Sequence, residues 1–222
     1  MDYQNKKGKY YINQRTEMLD FYPLNSKTVL DVGCGQGNFA KQIKDAYKTE
    51  AWGIEYMKSH AVEAEKILDK VFAGECEKFI DDLPDNYFDV IYFNDVLEHL
   101  NDPYTVLKKM KNKLTEKGKI ISSIPNIRYH SALKMLVLDK EWHYQDSGVM
   151  DHTHLRFFTK NSIKRMYENL RFKVITHQGI NKTKSIKPYL YNLFLLFTAS
   201  DIFYVQYATV VEKNDTKTLI NA

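Results

Sequence analysis

Cysteine is scarce in this 222-residue chain: Cys34 and Cys76 are the only two, and they do not form a C-x-x-C pair. A reduced, cytosolic protein is the natural expectation. No apolar run approaches the ~18 residues a membrane-spanning helix needs. The polar, lysine-rich start carries no apolar signal segment. Neither charge sign dominates, since 32 basic and 28 acidic residues leave a net charge of +4. That balance does not argue nucleic-acid binding by itself, and it suits an anionic substrate or an anionic membrane surface. Internal repeats and low-complexity tracts are absent. Glycine numbers nine, yet three of the nine alternate within residues 33–37.

What is present is a globular chain, 44% hydrophobic and 14% aromatic, long enough for one α/β domain with a sizeable core. It is organised around Thr28-Val29-Leu30-Asp31-Val32-Gly33-Cys34-Gly35-Gln36-Gly37-Asn38-Phe39. Apolar and β-favouring residues run into alternating glycines, and an amphipathic helix follows with Phe39, Ile43, Ala46 and Tyr47 on one face. The pattern reads as strand, tight turn, helix, with free N–H groups at the helix start facing any ligand held there. Strands are expected at 27–32, 51–55, 70–74, 87–93 and 119–124, and helices at 57–68, from Asp102-Pro103 onward, and at 160–169. Alternating strands and helices imply a parallel sheet covered on both faces, with ligands at the carboxyl ends of its strands. Residues 172–176 and 204–211 read as two final strands. Residues 10–22 read as a helix, 1–9 as a loose arm and 213–222 as a tail. A long break at 127–158, holding a helix over 131–138, suits a substrate-covering element. The segment 188–197 is apolar almost all round, for which burial under the sheet is the default reading and contact with a membrane surface the second.

A dinucleotide fingerprint requires G-x-G-x-x-G, and here the third glycine comes one residue early with Asn38 in its place. The pattern D-x-G-x-G-x-G instead resembles the cofactor loop of class I methyltransferases that use S-adenosylmethionine (SAM). The resemblance covers roughly residues 27–180. It implies a Rossmann-like α/β fold, a seven-stranded, mostly parallel sheet with helices on both faces and a lid insertion. The methyltransferase domain would then span 27–212, after an arm and helix at 1–26. The cofactor-binding set is Asp31, Gly33, Gly35, Gly37, Glu55, Glu75, Cys76 and Asn94. Glu55 ends strand two, twenty residues after Gly35, where an acid accepts hydrogen bonds from both ribose hydroxyls. Glu75 and Cys76 stand where the family meets adenine, although the family often has Asp at the first of these. Asp31 either orders the loop or touches the methionine end of SAM. Cys34 reads as packing.

On the acceptor side, the N/D-P-P-Y/F element of base N-methyltransferases is absent, which disfavours base N-methylation. Asn94-Asp95-Val96-Leu97-Glu98-His99-Leu100 resembles the E-H-L element of the ubiquinone-type and sugar-type branch. Asp151-His152-Thr153-His154-Leu155-Arg156-Phe157-Phe158-Thr159 resembles a segment of methyltransferases from bacterial surface-polysaccharide pathways. The expectation is O-methylation of a sugar in a surface glycan or its precursor, with a quinone precursor or other small metabolite, or a SAM-binding module without catalysis, as alternatives. His99 and His154 are the candidate bases, because histidine titrates near neutral pH. Alignment of acceptor and methyl supplies roughly 7–11 kcal/mol, and a base adds roughly 10²–10⁴-fold. Asn126, at a strand end, is expected to face the cleft. Tyr129, Trp142 and Tyr144 either stack on a sugar or form the lid's own core. Arg156 either grips an acidic acceptor group or pairs with Asp151. No resident metal is the first reading. The alternative is magnesium on Asp95, Glu98, His99 and His154, by likeness to RNA 3′-terminal 2′-O-methyltransferases, although magnesium prefers oxygen ligands.

Overall fold

The structure, a computed structural model, describes residues 15–214. The arm expected at 1–9, the start of the helix expected at 10–22 and most of the tail lie outside these residues. Seven strands form a single sheet: β1 (Thr28–Val32), β2 (Glu50–Glu55), β3 (Lys70–Ala73), β4 (Phe88–Asn94), β5 (Leu114–Pro125), β6 (Phe172–Lys182) and β7 (Tyr204–Lys213). Their order is β3-β2-β1-β4-β5-β7-β6. The first five are mutually parallel, and β7 runs antiparallel to both β5 and β6. Strand order reverses between β1 and β4, which is where a cleft opens above an α/β sheet.

Among the described residues, eight α-helices accompany the sheet: α1 (Thr16–Leu19), α2 (Asn38–Tyr47), α3 (Lys58–Glu65), α4 (Cys76–Phe79), α5 (Pro103–Lys113), α6 (His130–Val137), α7 (Lys160–Asn169) and α8 (Lys187–Phe194). The period of two along each strand splits the core in two. On β1, Leu30 and Val32 join Phe93, Leu107 and Met110 on one face, while Val29 joins Ile43, Ala51 and Tyr92 on the other. The caps follow the sequence signals. The Asp102 carboxylate accepts the N–H groups of Tyr104 and Thr105 ahead of α5, a cap of about 1 kcal/mol. Thr159 and Ser162 close a reciprocal capping box on α7.

Two strands run longer than the sequence pattern indicates. β5 begins at Leu114, because Leu114 already pairs with Phe88 before the register shifts. β6 continues to Lys182, because β7 lies along its whole length, from Phe172 opposite Lys213 to Lys182 opposite Tyr204. The four-residue α4 has too short a pattern to read in advance.

The segment 188–197 is not buried under the sheet. Phe194 is 83% exposed and Leu196 82%, whereas only Pro188 and Asn192 of α8 are buried. Below α8 lies a small separate core of Ala199, Ile202 and Phe203, against which Leu133, Tyr191 and Tyr204 pack.

Candidate active site

The loop after β1 is fixed before any ligand arrives. Gly33 and Cys34 donate their N–H groups to the Ile54 carbonyl at 2.8 and 3.1 Å. Gly33 has φ +75°, and a Cβ there would lie 2.5 Å from Val96 Cγ2, so only glycine fits. The Glu55 carboxylate bridges both walls of the loop. Its Oε2 accepts from the Gly35 N–H at 2.8 Å and its Oε1 from the Met57 N–H at 2.7 Å. Each oxygen keeps a second acceptor position. Burial pushes the Glu55 carboxyl above its ordinary value, and these two N–H groups oppose that shift.

Around this loop lies a cavity of about 770 Å³, at the carboxyl ends of β1, β2 and β4 and the turn after β3. Asp31, Gly33, Gly35, Glu55, Cys76 and Asn94 line it, as does Glu75, whose carboxylate is 3.1 Å from Lys78 Nζ. Gly37 does not. At φ +82° it starts α2, and a Cβ there would stand 3.1–3.2 Å from Leu68, Ala64 and Ile67. Its expected cofactor contact is therefore corrected to close packing of α2 against α3. Cys34 lines the wall while filling the space over Gly53, where a Cβ would sit 2.6 Å from its Sγ.

The polar atoms of this cavity fit SAM. Asp31 Oδ1 and both amide atoms of Asn94 are buried without a hydrogen-bond partner in the structure. A cationic amino-acid end satisfies such a pair of strand-end groups. Burial, reinforced by the nearby Glu55 charge, pushes the Asp31 carboxyl up to about 8, while Arg15 pulls it the other way.

Arg15, Asn181 and Gln206 also line the cavity, and sequence reasoning missed all three. They come from the segment before α1 and from β6 and β7, and no local motif marks them. The Arg15 guanidinium forms an ion pair with the Asp95 carboxylate. Asp95, in the left-handed region at φ +54°, also accepts from Ser123 Oγ at 3.1 Å and Gln206 Nε2 at 2.5 Å.

Beside the cavity, Glu98, His99 and His154 place one ligand atom each within 4.8 Å of one another, and all three are buried. His99 Nδ1 lies 3.0 Å from the Thr153 carbonyl and His154 Nδ1 3.1 Å from the Val149 carbonyl. A carbonyl only accepts, so each Nδ1 carries the proton and each Nε2 is the basic nitrogen. The two rings meet edge to face at 4.8 Å, and His154 Nε2 is 4.0 Å from Glu98 Oε1. His99 lies on the cavity wall, with His154 behind it. The magnesium quartet does not assemble as expected: Asp95 is held by Arg15, Ser123 and Gln206. The remaining two imidazoles and one carboxylate fit a borderline divalent ion better than magnesium.

On the acceptor side, the expectation for Asn126 is corrected. Asn126 is fully buried and turned away from the cavity. Its amide donates to the Asp201 and Tyr204 carbonyls at 2.9 and 3.1 Å, and its Oδ1 accepts from the Arg128 N–H at 3.1 Å. Of the two alternatives for Tyr129, the packing is that of a small core in the 127–158 insertion, with Ala132, Val149 and Met150. Arg156 does not line the cavity, and its Nη2 donates not to Asp151 but to the carbonyl of Asn101, a residue of the cavity rim, at 2.5 Å. Asp151 accepts from its neighbour Thr153, at 2.9 Å from the N–H and 2.7 Å from the hydroxyl.

The parallel sheet, the glycine turn and the acid ending β2 define the class: a Rossmann-like domain built to hold a nucleoside cofactor. Residues 3–177 match the methyltransferase-domain family, and the chain belongs to it. It is a class I SAM-dependent methyltransferase. A ubiquinone biosynthesis O-methyltransferase of Aeromonas salmonicida (strain A449) is 28% identical over 166 residues, 71% of this chain and 68% of the relative. Phosphoethanolamine N-methyltransferase 3 of Arabidopsis thaliana is 30% identical over 112 residues, 47% of this chain and 22% of the relative. A SAM-dependent methyltransferase from Archaeoglobus fulgidus shares the fold with TM-score 0.70 and 19% identity, covering 92% of this chain and 94% of that one.

Proposed function

We propose that this methyltransferase moves the methyl group of SAM to a hydroxyl of a sugar in a surface glycan or its precursor. The observation behind O-transfer is a buried imidazole at the cavity wall: His99, whose Nδ1 proton goes to the Thr153 carbonyl and whose ring meets that of His154 edge to face at 4.8 Å. SAM supplies an electrophilic methyl on a sulfonium. Glu55 would hold the ribose hydroxyls through its second acceptor positions. Asp31 and Asn94 would hold the amino-acid end, and Glu75 with the turn at Cys76 the adenine. His99 Nε2 takes the acceptor's hydroxyl proton as the oxygen attacks. The Thr153 carbonyl keeps the ring oriented, and the buried Glu98 carboxylate stabilises the imidazolium that forms.

Support for a sugar comes from Trp142 and Tyr144, half-exposed in the 127–158 insertion, which meet Phe157 at ring distances of 5.2 and 6.2 Å. Such faces stack on sugar rings. A second reading, a quinone precursor, rests on the relatives named for ubiquinone biosynthesis in Aeromonas salmonicida and Idiomarina loihiensis. The test is transfer of labelled methyl from SAM to two acceptor panels, nucleotide- and lipid-linked sugars against catechol-type quinone precursors. Labelled sugar supports the first reading and labelled catechol the second. Tight SAM binding with no transfer to any hydroxyl overturns both.

A divalent ion on Glu98, His99 and His154 is a separate reading, favoured by their ligand atoms lying within 4.8 Å of one another. Both histidines would present Nε2, with Nδ1 held by a carbonyl as metal-bound imidazoles commonly are. Dialysis against a chelator followed by readdition of zinc, manganese or magnesium tests it, and an unchanged turnover and no bound metal by elemental analysis refutes it.

A further inference from the structure

Between Lys182 and Ser200 the chain carries three lysines, 182, 184 and 187, and no acidic residue. All three lysines are exposed. Within the same stretch Ile186, Tyr189, Leu190, Phe194, Leu196 and Phe197 are each more than half exposed, three of them above 70%. Such an apolar cluster costs solubility unless something covers it.

The segment is built to present these side chains. Tyr189 is anchored edge to face on Phe203 at 4.7 Å. The buried Asn192 ties the following turn down: its Oδ1 accepts from the Ala199 N–H at 2.9 Å and its backbone carbonyl from the Phe197 N–H at 2.7 Å. Leu196 and Phe197 both lie in the left-handed region, at φ +50° and +59°. Large apolar residues adopt that conformation at a cost, so the turn holds them outward against local preference. The end of α6, packed against the same small core through Leu133, adds the exposed Leu136, Val137 and Leu138.

We propose that α8 and the turn after it dock on an anionic lipid bilayer. Phe194, Leu196 and Phe197 enter the interface, and Lys184 and Lys187 face the headgroups. Charge complementarity selects this occupant. A segment, 182–200, that carries exposed apolar side chains and lysines but no acid is the composition of an interfacial helix on acidic lipid, and a second copy of the chain would bring these lysines together. Val205, three residues after Ile202 of the supporting core, lines the cofactor cavity, so the docked face lies close to the catalytic cleft.

The experiment is flotation of the purified protein with vesicles of phosphatidylcholine alone and of phosphatidylcholine with phosphatidylglycerol, at low and high salt. Wild type is expected to float with the anionic vesicles, weakly with the neutral ones, and less in high salt. Phe194→Glu combined with Leu196→Glu abolishes flotation. Lys184→Gln and Lys187→Gln each reduce binding to anionic vesicles roughly fivefold. SAM affinity by calorimetry reports that each variant is folded and is expected to stay at the wild-type value. Wild type that floats with neither vesicle, or a glutamate pair that floats as well as wild type, overturns the proposal. So does a dimer in light scattering that the glutamate pair splits while wild type ignores vesicles, which assigns the face to a second copy of the chain.

Discussion

Asp31→Asn tests the electrostatics of the cofactor cavity without altering its shape. The carboxyl sits at about 8 in the folded chain against an ordinary 3.8, with burial the main cause and Glu55 the second. The folded state therefore binds more protons than the unfolded state between these values, and stability falls as pH rises through that window. From about pH 6 to about pH 9 the unfolded carboxyl is ionised throughout, while the folded one gives up its proton only near the top of the range. The difference is roughly two units, or about 2–3 kcal/mol of stability lost by the wild type over that interval. The substituted amide cannot ionise and keeps nearly the same volume. Urea denaturation of both proteins across the interval should show the wild-type curve falling faster by that amount. Parallel curves would refute the buried-acid reasoning, because groups common to both proteins cancel in the comparison. If the cationic amino group of S-adenosylhomocysteine meets Asp31 as proposed, saturating ligand should flatten the wild-type curve and leave the variant's slope unchanged.

Gly33→Ala places a Cβ 2.5 Å from Val96 Cγ2 at φ +75°, and should cost about 1–3 kcal/mol in thermal unfolding. Gly33→Ala with Val96→Ala should recover part of that loss, and no recovery would mean that backbone strain alone is responsible. His99→Ala should lower kcat by roughly 10²–10⁴-fold with SAM affinity unchanged in calorimetry. His154→Ala, one ring further from the cavity, should lower it less, and the reverse ranking would move the base to His154. Asn126→Ala strands the Asp201 and Tyr204 carbonyls and the Arg128 N–H, and should cost about 1–3 kcal/mol of stability while the acceptor KM stays put. A raised KM with normal stability would return Asn126 to the acceptor site.

The parts of this molecule legible in sequence are those written locally. Residues 28–39 contain strand, turn and helix in one stretch, and Glu55 reveals itself by ending the next strand. The Asp102-Pro103 and Thr159 caps mark their helices within a few residues. The failures are of a different kind. Arg15 and Gln206 reach the cavity from positions 191 residues apart in the chain, and nothing near either announces the other. Asn126 looked like a cleft residue because it follows the end of β5, but its amide was claimed by carbonyls of the returning chain at 201 and 204. For 188–197, hydrophobicity alone favours burial over a membrane surface, and the structure exposes the segment. Composition states only that a surface avoids water, and whether protein or lipid covers it depends on tertiary structure.

The place of β7 in the sheet bears on how the chain comes to fold. β7 follows the other six strands in sequence, yet it lies between β5 and β6 and supplies β6 with its pairing. During synthesis, β1 to β5 can assemble in the order they emerge, while β6 waits at the edge with no neighbour until residues 204–213 leave the ribosome. Gln206 arrives on that same strand, so the wall of the cavity closes only when the sheet does. A nascent chain stalled before residue 204 would then carry the glycine loop and Glu55 in a half-built cleft, and cofactor binding would follow the synthesis of β7 rather than precede it.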